Sequence, residues 1–158
     1  MKEELNPDLT AIIEATVRRT VTECEQRQRV RAIEAMTRNT TTLVENYTTL
    51  TAYASTKTPG TTAQWGDAFL ESIASSKART SIMVAELDLA MDQVATEYRA
   101  AGQSYKWDAF RARYMAGESY EAIADRLNAG KNSPARWCKE IMQQVAIRLF
   151  GVDGLKRW

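Results

Sequence analysis

Apolar residues recur at steps of three and four along most of the chain, which is the spacing of one face of an α-helix. In the N-terminal part, this repeat predicts one long helix over residues 8–35. Its apolar stripe consists of Leu9, Ile12, Ile13, Val17, Val21, Cys24, Val30 and Ile33. Further repeats predict helices over residues 40–54, 65–75 and 77–100, with a break at residues 55–62 around Pro59-Gly60. No run alternates cleanly with β-branched residues, so the predicted fold class is all-α.

Three shorter helices are predicted near the C-terminus, over residues 107–115, 120–127 and 134–149. Gly117 suits the position just after a helix, and Ser119 is an N-cap whose hydroxyl can accept a free amide of the next helix. Ser133-Pro134 is a strong helix start, because proline needs no amide in the first turn. The last two helices are therefore joined by a tight turn over residues 128–132.

The last helix is amphipathic, with one apolar face formed by Cys138, Ile141, Val145 and Leu149. Two helices joined by a tight turn, the second with a polar, cationic face, predict a helix-turn-helix. We therefore expect an N-terminal helical region over residues 1–102, a helix-turn-helix over 105–150 and a tail over 151–158. A helical hairpin without DNA-binding activity is the alternative interpretation.

The distribution of charge favours the DNA-binding interpretation. The whole chain carries a net charge of only +1. Residues 126–158, however, contain basic residues at 126, 131, 136, 139, 148, 156 and 157 against acidic residues at 140 and 153 only. Because phosphate neutralisation supplies much of the affinity for DNA, this excess points to nucleic acid.

Pro134–Leu149 is the predicted recognition helix. Ser133 and Arg136 are expected nearest its start on the outward side, and Lys131 and the preceding Arg126 are better placed for phosphates. Trp137 either packs in the core or contacts a base. The full set of predicted DNA-binding residues is Arg126, Lys131, Asn132, Ser133, Arg136, Trp137, Lys139, Glu140 and Gln143.

Three segments carry a family resemblance. The run G-E-S-Y-E-A-I-A-D-R-L-N at 117–128 resembles the helix-turn-helix of sigma-factor region 4 and its phage relatives. Together with R-N-T-T-T-L-V-E-N-Y at 38–47 and S-I-A-S-S-K-A-R-T-S-I-M at 72–83, it resembles the ArpU/RinA group of phage and prophage transcriptional regulators. The likeness spans about residues 30–150. It implies a small DNA-binding activator of late phage genes.

Several chemistries find no support in the sequence. The chain has no histidine and no glycine-rich phosphate loop, so we expect neither an enzyme nor a bound cofactor or metal. Its two cysteines are far apart and are expected to be reduced thiols of a cytoplasmic protein of the bacterial host cell. No apolar run has the length of a membrane span.

The expected partners are double-stranded DNA, host RNA polymerase and a second copy of the chain, in the simplest case as a dimer through the Leu9–Ile33 stripe. An intramolecular contact of that stripe with the face from Ile82 to Tyr98 is the alternative. Two other functions also remain open. One is a phage small terminase subunit that marks DNA for packaging, and the other is an adaptor that binds polymerase without binding DNA.

Overall fold

The computed structural model describes residues 6–55 and 67–151, and within these residues it contains seven helices and no strand. The all-α prediction is confirmed. The helices are α1 (Pro7–Glu45), α2 (Tyr47–Ser55), α3 (Ala68–Ala74), α4 (Lys77–Ala100), α5 (Ser104–Tyr114), α6 (Tyr120–Arg126) and α7 (Ser133–Phe150).

Helix α1 is longer than predicted. The expected end at Ala35 is wrong, since the helix continues to Glu45 and the predicted separate helix over 40–54 is divided at Asn46. The threonines of this segment are compatible with a helix because their hydroxyls donate to carbonyl oxygens four residues earlier. Thr40, Thr41 and Thr42 do so at distances of 2.8 to 3.0 Å. A high threonine content therefore did not interrupt the helix.

The chain divides into two compact units between Ala35 and Met36. The first unit contains the N-terminal part of α1, where no residue from Asn6 to Ala35 is buried. The second unit begins with the last turns of α1, whose Thr40, Leu43 and Val44 are buried.

Helix α4 is the centre of the second unit, where it contacts α2, α3, α5 and α7. Its Leu87 and Val94 are fully buried, as are Leu43, Phe110 and Ile141 from other helices of the unit. The residues before and after the expected boundary at 102–105 therefore share one hydrophobic core. This core holds α5 and α7 in place.

The hydroxyls of Thr80 and Tyr47 make three hydrogen bonds at the end of this unit that contains α2 and α3. The hydroxyl of buried Thr80 lies 3.1 Å from the carbonyl oxygens of both Ile73 and Ser76, which satisfies it at the corner between α3 and α4. The Tyr47 hydroxyl donates to Asp88 on α4 at 2.5 Å. That carboxylate and partial burial raise the pKa of Tyr47.

The predicted start of α5 at residue 107 is wrong, since the helix begins at Ser104, but most other boundaries agree closely with the sequence. Helix α4 spans the predicted residues 77–100, and α6 and α7 begin within one residue of their expected starts. The predicted start of a helix at Trp65, most of the break at 55–62 and the predicted tail after Gly151 lie outside the described residues.

Candidate nucleic-acid interface

The connection from α5 to α6 follows the predicted local chemistry. Gly117 adopts a φ of +70°, a left-handed conformation that suits glycine. The Ser119 hydroxyl then accepts the amide of Ala122 at 3.2 Å and caps the N-terminus of α6. These two residues end one helix and start the next within a few positions.

A second tight turn joins α6 to α7. Asn128 has a φ of +48°, which asparagine tolerates better than most residues. The Ser133 amide donates to the Gly130 carbonyl at 3.0 Å, and Pro134 lies in the first turn of α7. The turn thus carries Lys131 and Asn132, both exposed, to the N-terminus of the 18-residue helix α7.

A small core underlies this turn. Buried Ala109 and Ala112 of α5 and Ile123 of α6 pack with Trp137 of α7. The Trp137 ring also meets Tyr105 edge to face, with 5.1 Å between ring centroids. Of the two roles expected for Trp137, the structure places it in the core and away from the outward surface.

The first turns of α7 separate an apolar face from a polar one. Cys138, Ile141 and Val145 are fully buried. On the opposite side, Arg136 and Lys139 are exposed, whereas Ser133 and Gln143 are half-buried. Burial raises the pKa of the Cys138 thiol to about 11. The outward side of α7 therefore carries most of the predicted DNA-binding residues.

Ion pairs divide the predicted charges into two groups. Arg126 donates to Glu118 at 3.1 Å, and Glu140 pairs with Lys106 of α5 at 3.5 Å. In contrast, Lys131, Arg136 and Lys139 make no ion pair with any residue that the structure describes. We call these three residues the cationic face.

Acidic residues bound the cationic face on the side of α6. Glu121 and Asp125 line a groove of about 430 Å³ together with Lys131. A second groove of about 450 Å³ contains Asp108 and Arg111 together with the Glu118–Arg126 pair. Both grooves combine acidic and basic side chains, so neither attracts an anion as strongly as the cationic face does.

The residues that pair with these charged groups are not evident from the sequence. Lys106 is 34 positions before Glu140, and neither the spacing nor the local composition indicates that they pair. The same is true of Arg148 in the last turns of α7, which pairs with Glu97 of α4. Their partners depend on how α4, α5 and α7 pack.

Comparison of the chain with protein-family models, with curated protein sequences and with solved structures finds no match. In the part of the chain that the structure describes, no helix combines the length and the apolar character needed to cross a membrane.

Proposed function

We propose that this protein is a sequence-specific regulator of transcription that binds double-stranded DNA. In this proposal α6 and α7 form a helix-turn-helix, and α7 is the recognition helix. The observation that carries the proposal is the cationic face. Three exposed cations lie at the start of one helix, without ion-pair partners among the described residues, while the other side of that helix is buried.

The dimensions of α7 are compatible with the major groove. Arg136 and Gln143 are seven residues apart, so they lie on the same side of the helix and about 10 Å apart along it. A major groove about 12 Å wide admits a single α-helix. Both side chains can then approach base edges during one insertion of the helix.

The individual residues suit different parts of DNA. An arginine can make two hydrogen bonds to a guanine edge, and a glutamine can do the same with adenine. We assign Arg136 and Gln143 to base recognition and Lys131 and Lys139 to phosphates. The positive end of the α7 dipole adds to the attraction for phosphate near Asn132 and Ser133.

The family resemblance gives the proposal its biological direction. A protein similar to the ArpU/RinA group would activate late phage genes, and direct contact with host RNA polymerase would be one means of activation. The N-terminal part of α1 exposes a surface of its own. The corner formed by Thr80 within S-K-A-R-T is buried, which favours a structural role for that segment.

The function can be tested by selecting ligands from a library of random DNA duplexes with the full chain. We expect enrichment of one sequence motif, and preferential binding of that motif over a scrambled duplex. Failure to bind any duplex at 50 mM salt would overturn the proposal and leave the polymerase adaptor as the better candidate.

A matched pair of variants tests the assignment of α7. Arg136→Ala should weaken binding to the selected motif by about 5- to 150-fold and relax the preference at one base pair. Arg99→Ala is the control, because it removes an exposed arginine of α4 that lies far from Arg136. Arg99 is two residues from Glu97, and Glu97 pairs with Arg148, which lies about 18 Å along α7 from Arg136. If Arg136→Ala binds both duplexes as the parent does, α7 is not the recognition helix.

A further inference from the structure

The start of α5 lies beside the first turns of α7. The Tyr105 ring meets the Trp137 ring edge to face, with 5.1 Å between the two centroids. The next residue, Lys106, pairs with Glu140 at 3.5 Å, and its side chain is only 17% exposed. These two contacts hold Tyr105 against the half of α7 that also carries Arg136.

Tyr105 remains accessible although it belongs to this packed corner. It is 43% exposed, whereas Trp137, which its ring contacts, is 9% exposed. The Tyr105 hydroxyl makes no hydrogen bond with any residue that the structure describes. An exposed tyrosine can serve simply as a cover for a neighbouring ring, but such a cover needs no hydroxyl. The ring is therefore fixed by packing, and its hydroxyl is left to donate to a partner outside the chain.

Tyr105 and Lys139 flank Arg136 on opposite sides of α7. At about 100° per residue, Lys139 is about 60° from Arg136 in one direction around the helix. Trp137, which holds the Tyr105 ring, is about 100° from Arg136 in the other direction. A helix in the major groove lies between two sugar–phosphate backbones. When Arg136 points at the bases, Lys139 therefore faces one backbone and Tyr105 faces the other.

The charged residues that α7 places on the Tyr105 side are already paired. Glu140 pairs with Lys106, and Arg148 pairs with Glu97. The first of these pairs neutralises a carboxylate that would otherwise repel a nearby phosphate. What this side offers to a DNA backbone is therefore a neutral hydrogen-bond donor, and tyrosine is one of the residues that commonly contact phosphates.

We propose that the Tyr105 hydroxyl donates a hydrogen bond to a DNA phosphate on the backbone opposite the one that Lys139 binds. This inference rests on the proposed function and adds a contact from α5, outside the two helices of the helix-turn-helix. The contact fixes the rotation of α7 in the groove, because the helix is then held from both sides. It carries no sequence information, since phosphates are common to all sequences.

Tyr105→Phe tests the hydroxyl while it keeps the ring on Trp137. The variant should bind the selected motif and a scrambled duplex about 2- to 12-fold more weakly, as expected for one lost hydrogen bond. Its dependence on salt should remain that of the parent, because a neutral donor releases no counterion. Tyr53→Phe is the matched control and should bind as the parent does, since the Tyr53 hydroxyl donates to the Ala74 carbonyl within the chain.

Duplexes that carry a neutral methylphosphonate at one phosphate at a time locate the contact. The substitution at the phosphate bound by Tyr105 should weaken the parent but should not weaken Tyr105→Phe further. The same scan with Lys139→Ala identifies the phosphate bound by Lys139. The two phosphates should lie on opposite backbones of the major groove.

The outcomes separate this inference from the proposed function. Failure of the parent to bind any duplex would overturn both. Selection of a motif by the parent, together with parental affinity in Tyr105→Phe, would overturn this inference alone. A phosphate on the same backbone as that of Lys139 would do the same. An equal loss in Tyr53→Phe would also overturn it, because the loss would then follow from reduced stability and not from a lost contact.

Discussion

The salt dependence of DNA binding can be derived from the number of cations that the structure leaves for phosphate. Lys131, Arg136 and Lys139 are exposed and make no ion pair with any described residue, whereas Arg126 is engaged by Glu118. Each phosphate neutralised contributes about −0.9 to the slope of log K against log salt. Because Arg136 is assigned to a base, the two phosphate contacts of Lys131 and Lys139 predict a slope of about −1.8 for each bound chain.

Lys131→Ala removes one of these contacts and should change the slope to about −0.9. Between 50 and 200 mM salt, the parent should then lose about 12-fold in affinity and the variant about 3.5-fold. Because Lys131 lies in the turn and is assigned to phosphate, the variant should weaken the selected motif and a scrambled duplex equally.

Fluorescence anisotropy titrations at four salt concentrations measure these slopes directly. Arg99→Ala is again the matched control and should keep the parental slope. An unchanged slope in Lys131→Ala, or a parental slope weaker than about −1, would refute the contact model. A loss confined to the selected motif would assign Lys131 to base recognition.

Four further predictions concern stability and reactivity. Trp137→Ala should destabilise the protein by about 3–5 kcal/mol in urea unfolding, and Trp137→Phe by much less, because the ring fills a core. Exposed Cys24 should react rapidly with a thiol reagent and buried Cys138 only on unfolding. The protonated Cys138 thiol should contribute stability below pH 9 that is lost as the pH rises through its pKa of about 11. Tyr47→Phe should lower the free energy of unfolding by about 1 kcal/mol at neutral pH, because it removes the hydrogen bond to Asp88. In the parent, the stabilisation from the Tyr47 phenol should fall above pH 10, because the pKa of Tyr47 is raised in the folded protein.

Features that depend on neighbouring residues could be predicted from the sequence. Gly117 and Ser119 mark the connection between α5 and α6 because a positive φ and a capping hydroxyl act within one turn. Ser133-Pro134 marks the start of α7 for the same reason. The predicted end of α1 at Ala35 is wrong because the helix continues through the threonines that follow, whose hydroxyls bond within the helix.

Features that depend on packing could not be predicted. Trp137 is only 100° from Arg136 around α7, at the edge between the outward and buried faces, so periodicity does not decide its role. The position of α5 decides it, since Tyr105 and Ala109 cover the ring. The pairing of Glu140 with Lys106 likewise follows from the contact between α5 and α7.

Charge pairing also changes what the basic C-terminal region implies for binding. Counted in the sequence, Arg126 and Arg148 are equivalent to Lys131 and Lys139, but their ion pairs with Glu118 and Glu97 reduce their availability to DNA. A single chain then has few phosphate contacts and depends strongly on low salt.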